Sequence, residues 1–463
     1  MQRLKIHGGR PLLGSVVASG SKNAALPILA ASILASEPVT VTRLPRLSDV
    51  ATMLRLLRSL GVRVDSGTGV VSRSASAGSD KDSRRRTPVP FAPEMIPVPF
   101  SVSIDPRTLA SAAPPQHFVR RMRASFCVLG PLLARRGRAA VALPGGCRIG
   151  PRPVDLHLRG LAALGAEIQV VDGLVIARAN RLRGARVSLT GPHGSTVTGT
   201  ANVLCAAVLA RGTTVIEGAA TEPEIVDLGG FLQSLGARIE GLGTATIAVC
   251  GVDQLSGGTH ELIADRIEAA TLLAAGLATG GQVTVECVVP EHLAAVLEVF
   301  ADLGAAIEVA DDRVTVERRG PLRPATLTAL PYPGVPTDMQ AQLTTLAALA
   351  NGTSRIADAV FPERFHHVRQ LRRMRADIDL SPAGAVVRGV GSLCGARVVA
   401  GDLRASAALV LAGLAARGIT QVERLHHLDR GYQDLEAKLR GLGATIRRER
   451  STLSGTRRQR ALS

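Results

Sequence analysis

Tryptophan is absent from the 463 residues, tyrosine occurs twice, and aromatic side chains make up 2% of the chain. Nucleic-acid bases therefore find few platforms to stack on, and a formal charge of +17 does not by itself argue for a nucleic-acid partner. Lysine is nearly missing too: Lys5, Lys22, Lys81 and Lys438 are the only four, so the other 51 of the 55 basic residues are arginine. The six cysteines (Cys127, Cys147, Cys205, Cys250, Cys287, Cys394) form no C-x-x-C pair, which argues against a zinc or dithiol site and for a reduced compartment. No apolar run approaches the roughly 18 residues of a membrane span. The charged N-terminus is not followed by an apolar signal segment either, so the expectation is a cytoplasmic protein without a membrane partner.

What is present is a chain that is 46% hydrophobic and long enough for two or three domains. Internal repeats organise it. Leu-Gly-Ala-like endings recur at Gly61, Gly165, Gly236, Gly304, Arg375 and Gly443, spaced by 104, 71, 68, 71 and 68 residues. Most follow an Ala/Leu-rich stretch that closes on a turn and a β-branched strand, so the unit is helix, strand, helix, strand, repeated six times. Counting back 14 residues from the turn residues Glu37, Gly137, Gly212, Gly280, Gly352 and Gly418 lands on Asn23, Arg123, Thr198, Arg266, Asp338 and Arg404. Each is polar and precedes an apolar run, which predicts six equivalent helix starts. Capping explains Asn, Thr and Asp there. Arginine opposes the helix dipole at such a position, which favours a functional reading of those three arginines and an anion site built from helix N-termini.

The first spacing is longer by about 34 residues, and the excess falls between Ser72 and about Ala113, a Ser/Arg/Pro-rich stretch expected to be a surface insertion. The basic segment from Arg447 is expected to be a disordered tail.

Chemistry concentrates elsewhere. Between Arg120 and Arg152 there are eight arginines and no acid, a field suited to an anionic substrate. Cys147 lies in that stretch between Gly145, Gly146 and Gly150, with Arg148 and Arg152 close enough in sequence to lower its thiol pKa. Acid/base or nucleophilic work is the better reading of this cysteine, and inert burial is the reading of the other five. Lys22, an ammonium in an arginine-rich chain, does a different job from a guanidinium. Asp338 is either a carboxylate that the helix dipole favours or, in a basic cleft, the acceptor of a substrate hydroxyl proton.

Gly20-Ser-Lys-Asn-Ala-Ala-Leu-Pro27, Arg123-Ala-Ser, Pro144-Gly-Gly-Cys-Arg-Ile-Gly-Pro-Arg-Pro-Val-Asp-Leu-His157, Glu222-Pro-Glu-Ile-Val-Asp, Pro336-Thr-Asp-Met-Gln-Ala-Gln, Arg364-Phe, Asp402-Leu-Arg-Ala-Ser and Asp429-Arg-Gly-Tyr together resemble the UDP-N-acetylglucosamine 1-carboxyvinyltransferase (enolpyruvyl transferase) family. The resemblance covers nearly all of the chain apart from the insertion and tail. The cysteine loop sets it apart from the related 5-enolpyruvylshikimate-3-phosphate synthases.

The resemblance implies an inside-out α/β barrel of two domains, each of three βαβαββ repeats: residues 22–262, with the insertion at about 72–113, and residues 1–21 with 263–446, followed by the tail 447–463. It implies a transferase that moves the enolpyruvyl group of phosphoenolpyruvate to the 3-hydroxyl of UDP-N-acetylglucosamine with release of phosphate, in peptidoglycan precursor synthesis, with no metal or organic cofactor. Carried over by motif, Lys22, Arg123, Arg152 and Arg404 hold phosphoenolpyruvate, Cys147 protonates its methylene or assists product release, and Asp338 takes the hydroxyl proton. Asn23 and Arg364 support the sugar and the closed state. The segment Arg152, Pro153, Val154, Asp155, Leu156 and His157, with Thr196, Val197 and Thr198, borders the uridine nucleotide. Ser48, and the segment from His193 to Thr200, depart from the family pattern near the nucleotide. A paralogue that uses uridine monophosphate in nucleoside-antibiotic synthesis is therefore the alternative, and a catalytically silent nucleotide-binding regulator is the reading from another class.

Overall fold

The structure, a computed structural model, describes residues 2–67, 100–145, 153–192 and 194–450. Among them the strands form six sheets of three or four strands, plus the short pair Thr190–Gly191 and Gly194–Ser195. One sheet shows the common plan. Leu13–Val17 runs parallel to Gln282–Glu286, in register from Gln282 opposite Leu13 to Glu286 opposite Val17. Arg313–Glu317 lies antiparallel on the other side of Gln282–Glu286, and Ala306–Ala310 completes the edge. Such strands alternate buried and exposed residues, so one face of each sheet is apolar and must be covered.

Helices cover it from within. The six inner helices are Lys22–Ala31, Leu129–Arg136, Val197–Ala207, Arg266–Thr279, Gln340–Ala348 and Leu403–Ala415. They carry no polar stripe: 13 of the 14 residues of Arg266–Thr279 are buried, and so is every residue of Gln340–Ala348. A helix buried on every face belongs in an interior, and its alanines let neighbours approach closely. Their buried hydroxyls are satisfied locally, as where Thr344 donates to Gln340 O at 2.8 Å and Thr271 to Ile267 O at 2.7 Å. With three helices packed together inside each group of sheets, the architecture is an inside-out α/β barrel.

All six positions picked out by the spacing open these helices. Asn23, Thr198 and Arg404 are second residues, and Arg266 is a first residue. Arg123 starts the 3-10 turn Arg123–Val128 that leads into Leu129–Arg136, and Asp338 lies in the turn Thr337–Met339 that leads into Gln340–Ala348. The Leu-Gly-Ala-like endings share a conformation as well. Gly61, Gly165, Gly236, Gly304 and Gly443 have φ between 89° and 104°, and Arg375 occupies the same left-handed region at 72°.

Buried apolar residues fall into two clusters, one running from Ala24 to Leu262, the other combining Leu4 to Ala18 with Ala264 to Ile446. The chain passes between them at two adjoining points. Ser21 N donates to Ile263 O at 2.7 Å and Asp265 N to Ser19 O at 2.8 Å. Buried Glu268 fastens this crossing by accepting from Ser19 N and from Lys438 Nζ at 2.9 Å.

Two expectations need correction. Within the stretch assigned to a surface insertion, Phe100–Asp105 is a strand between Val39–Leu44 and Arg63–Gly67, with Val102 and Ile104 fully buried. Alternation of apolar and polar residues in Phe-Ser-Val-Ser-Ile-Asp carries that pattern, which the neighbouring proline run obscured; residues 68–99 lie outside the described residues. The tail also begins later than Arg447, because Thr445–Arg450 pairs antiparallel with Gln2–His7. Arg448 there donates to Asp429 at 2.7 and 3.0 Å and to Glu436 at 2.7 Å, so its charge is part of an ion-pair network. No helix among the described residues is long and apolar enough to cross a membrane.

Candidate active site

Lys22 opens its helix behind Ser21, whose hydroxyl accepts from Ala24 N and caps the start. Its side chain is buried, and Nζ lies 2.8 Å from Asp49 Oδ2. Asp49 comes from the helix Ser48–Ser59 and is held from the other side by Arg430, whose Nε and Nη2 approach its two oxygens at 2.9 and 3.3 Å. Burial alone would raise the Asp49 pKa, but Lys22 and Arg430 outweigh it and keep the carboxyl below its ordinary value. Asn23 lies beside Lys22 with its side chain exposed.

Asp338 is the second carboxylate. It accepts from Arg364 Nη1 at 2.8 Å and from Arg404 Nε at 3.1 Å. Here too burial acts upward, while Arg404, Arg364 and, farther away, Lys22 hold the carboxyl well below the usual carboxylate range. Arg404 is 1% exposed. Asp402 accepts from the Arg404 and Ala405 amides, supplying the negative charge that makes an arginine tolerable at this helix start. The guanidinium lies over the Tyr432 ring, 5.1 Å from its centroid, and the Tyr432 hydroxyl meets Thr271 and Gln342, both at 3.1 Å. Arg404 Nη1 is buried without a hydrogen-bond partner among the described residues.

Lys22, Asp338, Arg364 and Arg404, distant in sequence, therefore form one cluster. In direct ion pairs four cations, with Arg430 as the fourth, share two carboxylates, Asp49 and Asp338. Asp265, which accepts from Lys22 N at 3.2 Å, and Asp402 add negative charge at the helix starts, and cations gathered at helix N-termini in this way suit an anion.

Arg123, Pro153, His157 and Thr198 meet in a second cluster. Arg123 Nη2 donates to Pro153 O at 2.9 Å. His157 has both ring nitrogens engaged, Nε2 with Thr198 Oγ1 at 3.1 Å and Nδ1 with Asn202 at 2.8 Å, and burial pushes its pKa down to about 3. It is a neutral, 1% exposed strut that fixes its own helix against Val197–Ala207, so it supports this border from behind. Thr196 caps Val197–Ala207 by accepting from Gly199 N, and Val197, Pro153 and Asp155 are exposed, with Val154 and Leu156 half-buried. Cys147, Arg148 and Arg152 lie outside the described residues.

Inert burial does not hold for all the other cysteines. Cys127 and Cys205 are buried, and burial pushes the Cys127 thiol up to about 12. Cys250, Cys287 and Cys394 are exposed: the first sits on the outward face at a strand end, the others in turns between elements. Nor is Arg266 a spare cation. It pairs bidentately with buried Glu224 at 3.0 and 3.2 Å and lies over Tyr332, and Asp265 caps its helix. Sequence reasoning missed Asp49 altogether and gave no role to Arg430 or Tyr432, although both belong to the Asp429-Arg-Gly-Tyr motif.

Comparisons with known proteins identify relatives over almost the whole chain. The family model for EPSP synthase (3-phosphoshikimate 1-carboxyvinyltransferase) matches residues 6–85 and 100–439. The UDP-N-acetylglucosamine 1-carboxyvinyltransferase of Methylacidiphilum infernorum (isolate V4) is 46% identical over 448 residues, which is 97% of this chain and 99% of that protein. Among solved structures, the enolpyruvyl transferase NikO from Streptomyces tendae superposes with a TM-score of 0.81 at 26% identity, covering 96% of this chain and 98% of its own. EPSP synthase from Acinetobacter baumannii shares the fold at a TM-score of 0.70 and 17% identity, over 97% of this chain and 100% of its own. With identity of this level over almost its whole length, the chain belongs to the enolpyruvyl (carboxyvinyl) transferase family and is a transferase.

Proposed function

We propose that this enzyme transfers the enolpyruvyl group of phosphoenolpyruvate to the 3-hydroxyl of UDP-N-acetylglucosamine, a cytoplasmic step of peptidoglycan precursor synthesis. The observation that carries the reading is the pairing of buried Arg364 and Arg404 with Asp338, with the buried Lys22–Asp49 pair close enough to act on the same carboxylate, in a chain 46% identical to a transferase named for that acceptor. A small trianion needs several cations, and Lys22, Arg123, Arg152 and Arg404 supply them for its phosphate and carboxylate. The sugar O3 attacks C2 of phosphoenolpyruvate while Asp338 receives the hydroxyl proton and Cys147 delivers a proton to the methylene carbon. The tetrahedral ketal then loses a methyl proton and its C2–O bond to phosphate, which restores the enol ether and frees inorganic phosphate. With its pKa held so low, Asp338 is a weak standing base, so proton transfer accompanies C–O bond formation. Asn23 and Arg364 orient the sugar, and Pro153 to Leu156 with Thr196 to Thr198 border the uridine nucleotide, braced by His157. The active cleft lies between residues 22–262 and residues 1–21 with 263–446, and closure around it excludes water from developing charge.

Phosphate release from phosphoenolpyruvate tests the reading. Release with UDP-N-acetylglucosamine supports it. Release only with uridine monophosphate assigns the enzyme to a paralogous pathway, and no release with any uridine nucleotide overturns the transferase chemistry.

A further inference from the structure

Asp49 has no part in the reaction just described, yet it joins cations from both cores. It stands on the helix Ser48–Ser59 of the first core; Lys22 Nζ reaches Oδ2 at 2.8 Å, and Arg430 of the second core reaches both oxygens at 2.9 and 3.3 Å. The Lys22 and Asp49 side chains are 6% and 7% exposed. The flanking backbone is docked on the same turn of the second core, with Ser48 Oγ donating to Asp429 O at 3.4 Å and Arg46 N to Gln433 Oε1 at 2.8 Å. An ammonium and a guanidinium are thus aimed at one planar oxyanion from two sides. A phosphate oxygen pair offers those donors the same geometry with more charge.

We propose that Asp49 is a positioning residue: an internal counter-ion that holds Lys22 and Arg430 together at one oxyanion subsite and yields them to the phosphate group of substrate or product. This inference rests on the reading that Lys22 binds the phosphate end of phosphoenolpyruvate. Physically, Asp49 keeps buried Lys22 and half-buried Arg430 from repelling each other before an anion arrives. It also competes with the phosphate for them, which lets the product leave.

The test is binding of inorganic phosphate to the intact protein, by calorimetry and by the phosphate-dependent shift of thermal unfolding. In Asp49→Asn the two cations lose their counter-ion. The variant is expected to bind phosphate at least about tenfold more tightly than wild type and to recover thermal stability on adding phosphate, while turnover falls through slow phosphate release. Asp49→Glu is expected to return phosphate affinity towards wild type. A merely structural carboxylate would leave phosphate affinity unchanged or weakened in Asp49→Asn, and that result overturns the proposal. If the Asp49→Asn substitution prevents folding, Arg430→Gln decides: with Asp49 neutralising Lys22 alone, phosphate affinity should fall at least about tenfold, and an unchanged affinity overturns the proposal. The two readings fail separately. Wild-type protein that turns over no phosphoenolpyruvate sinks the reaction, whereas the phosphate response of the variants does not depend on turnover.

Discussion

Replacing Asp338 with asparagine keeps the side-chain shape and withdraws one negative charge from between two guanidinium groups. Arg364 and Arg404 approach that carboxylate at 2.8 and 3.1 Å, and both are almost fully buried. Leaving a buried charge without its partner costs about 3–5 kcal/mol. The Asp338 side chain is 24% exposed, so water relieves part of the loss, and a cost near the lower bound, about 3 kcal/mol, is expected. It should appear as a lower midpoint of urea unfolding. Losing the proton acceptor should separately lower kcat by about 10²–10⁴-fold, whereas KM for phosphoenolpyruvate should not rise, because a negative neighbour of the anion has been removed. Steady-state phosphate release at several phosphoenolpyruvate concentrations separates these terms. A variant that loses stability but keeps kcat within about tenfold of wild type would show that Asp338 is a counter-ion only, and the proton-acceptor role would fall. The sign of the pH dependence supplies a control. A carboxyl depressed in the folded state contributes its full stability above its unfolded pKa and loses it progressively as pH falls from there towards the lower folded value, whereas the folded enzyme keeps the group ionised throughout the ordinary carboxylate range. No acid limb of the wild-type rate in the ordinary carboxylate range should therefore trace to Asp338.

Cys147→Asp should abolish alkylation by an anionic epoxide while retaining some turnover, since a carboxyl can replace a thiol as proton donor; peptide mapping that places the label on exposed Cys250, Cys287 or Cys394 would refute the assignment. Arg375→Gly should stabilise the protein by about 0.5–1 kcal/mol, because the left-handed backbone costs arginine more than glycine's extra unfolded entropy returns. The Arg375 side chain is exposed at a φ of 72°, so little contact is lost, and a lower urea midpoint would contradict this. His157 and His367 are buried neutral, with pKa values pushed down to about 3 and about 4. Unfolded chains take up those protons as pH falls below 6.5 and the folded protein does not, so stability should fall by up to about 1.4 kcal/mol per histidine per pH unit below that point. Denaturant midpoints that stay flat from pH 6.5 to 5 would show that neither ring is held neutral.

The fold was legible because it repeats. A helix that must be buried on every face and a turn that needs a left-handed residue leave marks at fixed intervals, and six copies make the interval visible. Arg375 illustrates the strength of this pattern. It lacks the glycine yet adopts the conformation that its five counterparts adopt with glycine, because the adjoining Met374 and Ala376 are buried and fix the path of the chain. The errors fell where the period was interrupted. The Phe100–Asp105 strand follows a long proline-rich stretch, and Thr445–Arg450 carries arginine on both faces of a strand whose partner is the first strand of the chain. Neither local composition nor spacing encodes a pairing across more than 400 residues.

The site divides along the same line. Spacing could find Asp338 and Arg404, and Asn23 next to Lys22, because each stands at the start of an inner helix; Lys22 itself stood out as a rare lysine. Spacing could not find Asp49 or Arg430, which lie on an outer helix and in a turn, outside the repeat phase, and meet across 381 residues. The same limit explains why Arg266 misled. An arginine at a helix start signals a buried charge that must be matched, but the sequence does not say whether the match is a ligand or Glu224. For Arg404 the protein supplies one carboxylate shared between two guanidinium groups and, among the described residues, no hydrogen-bond partner for Nη1, whereas for Arg266 it supplies a bidentate partner. Equivalent positions in the repeat thus separate by how completely their charge is matched within the protein. Where matching is incomplete the residue is available to a substrate anion, and where it is complete the residue ties one core to the other.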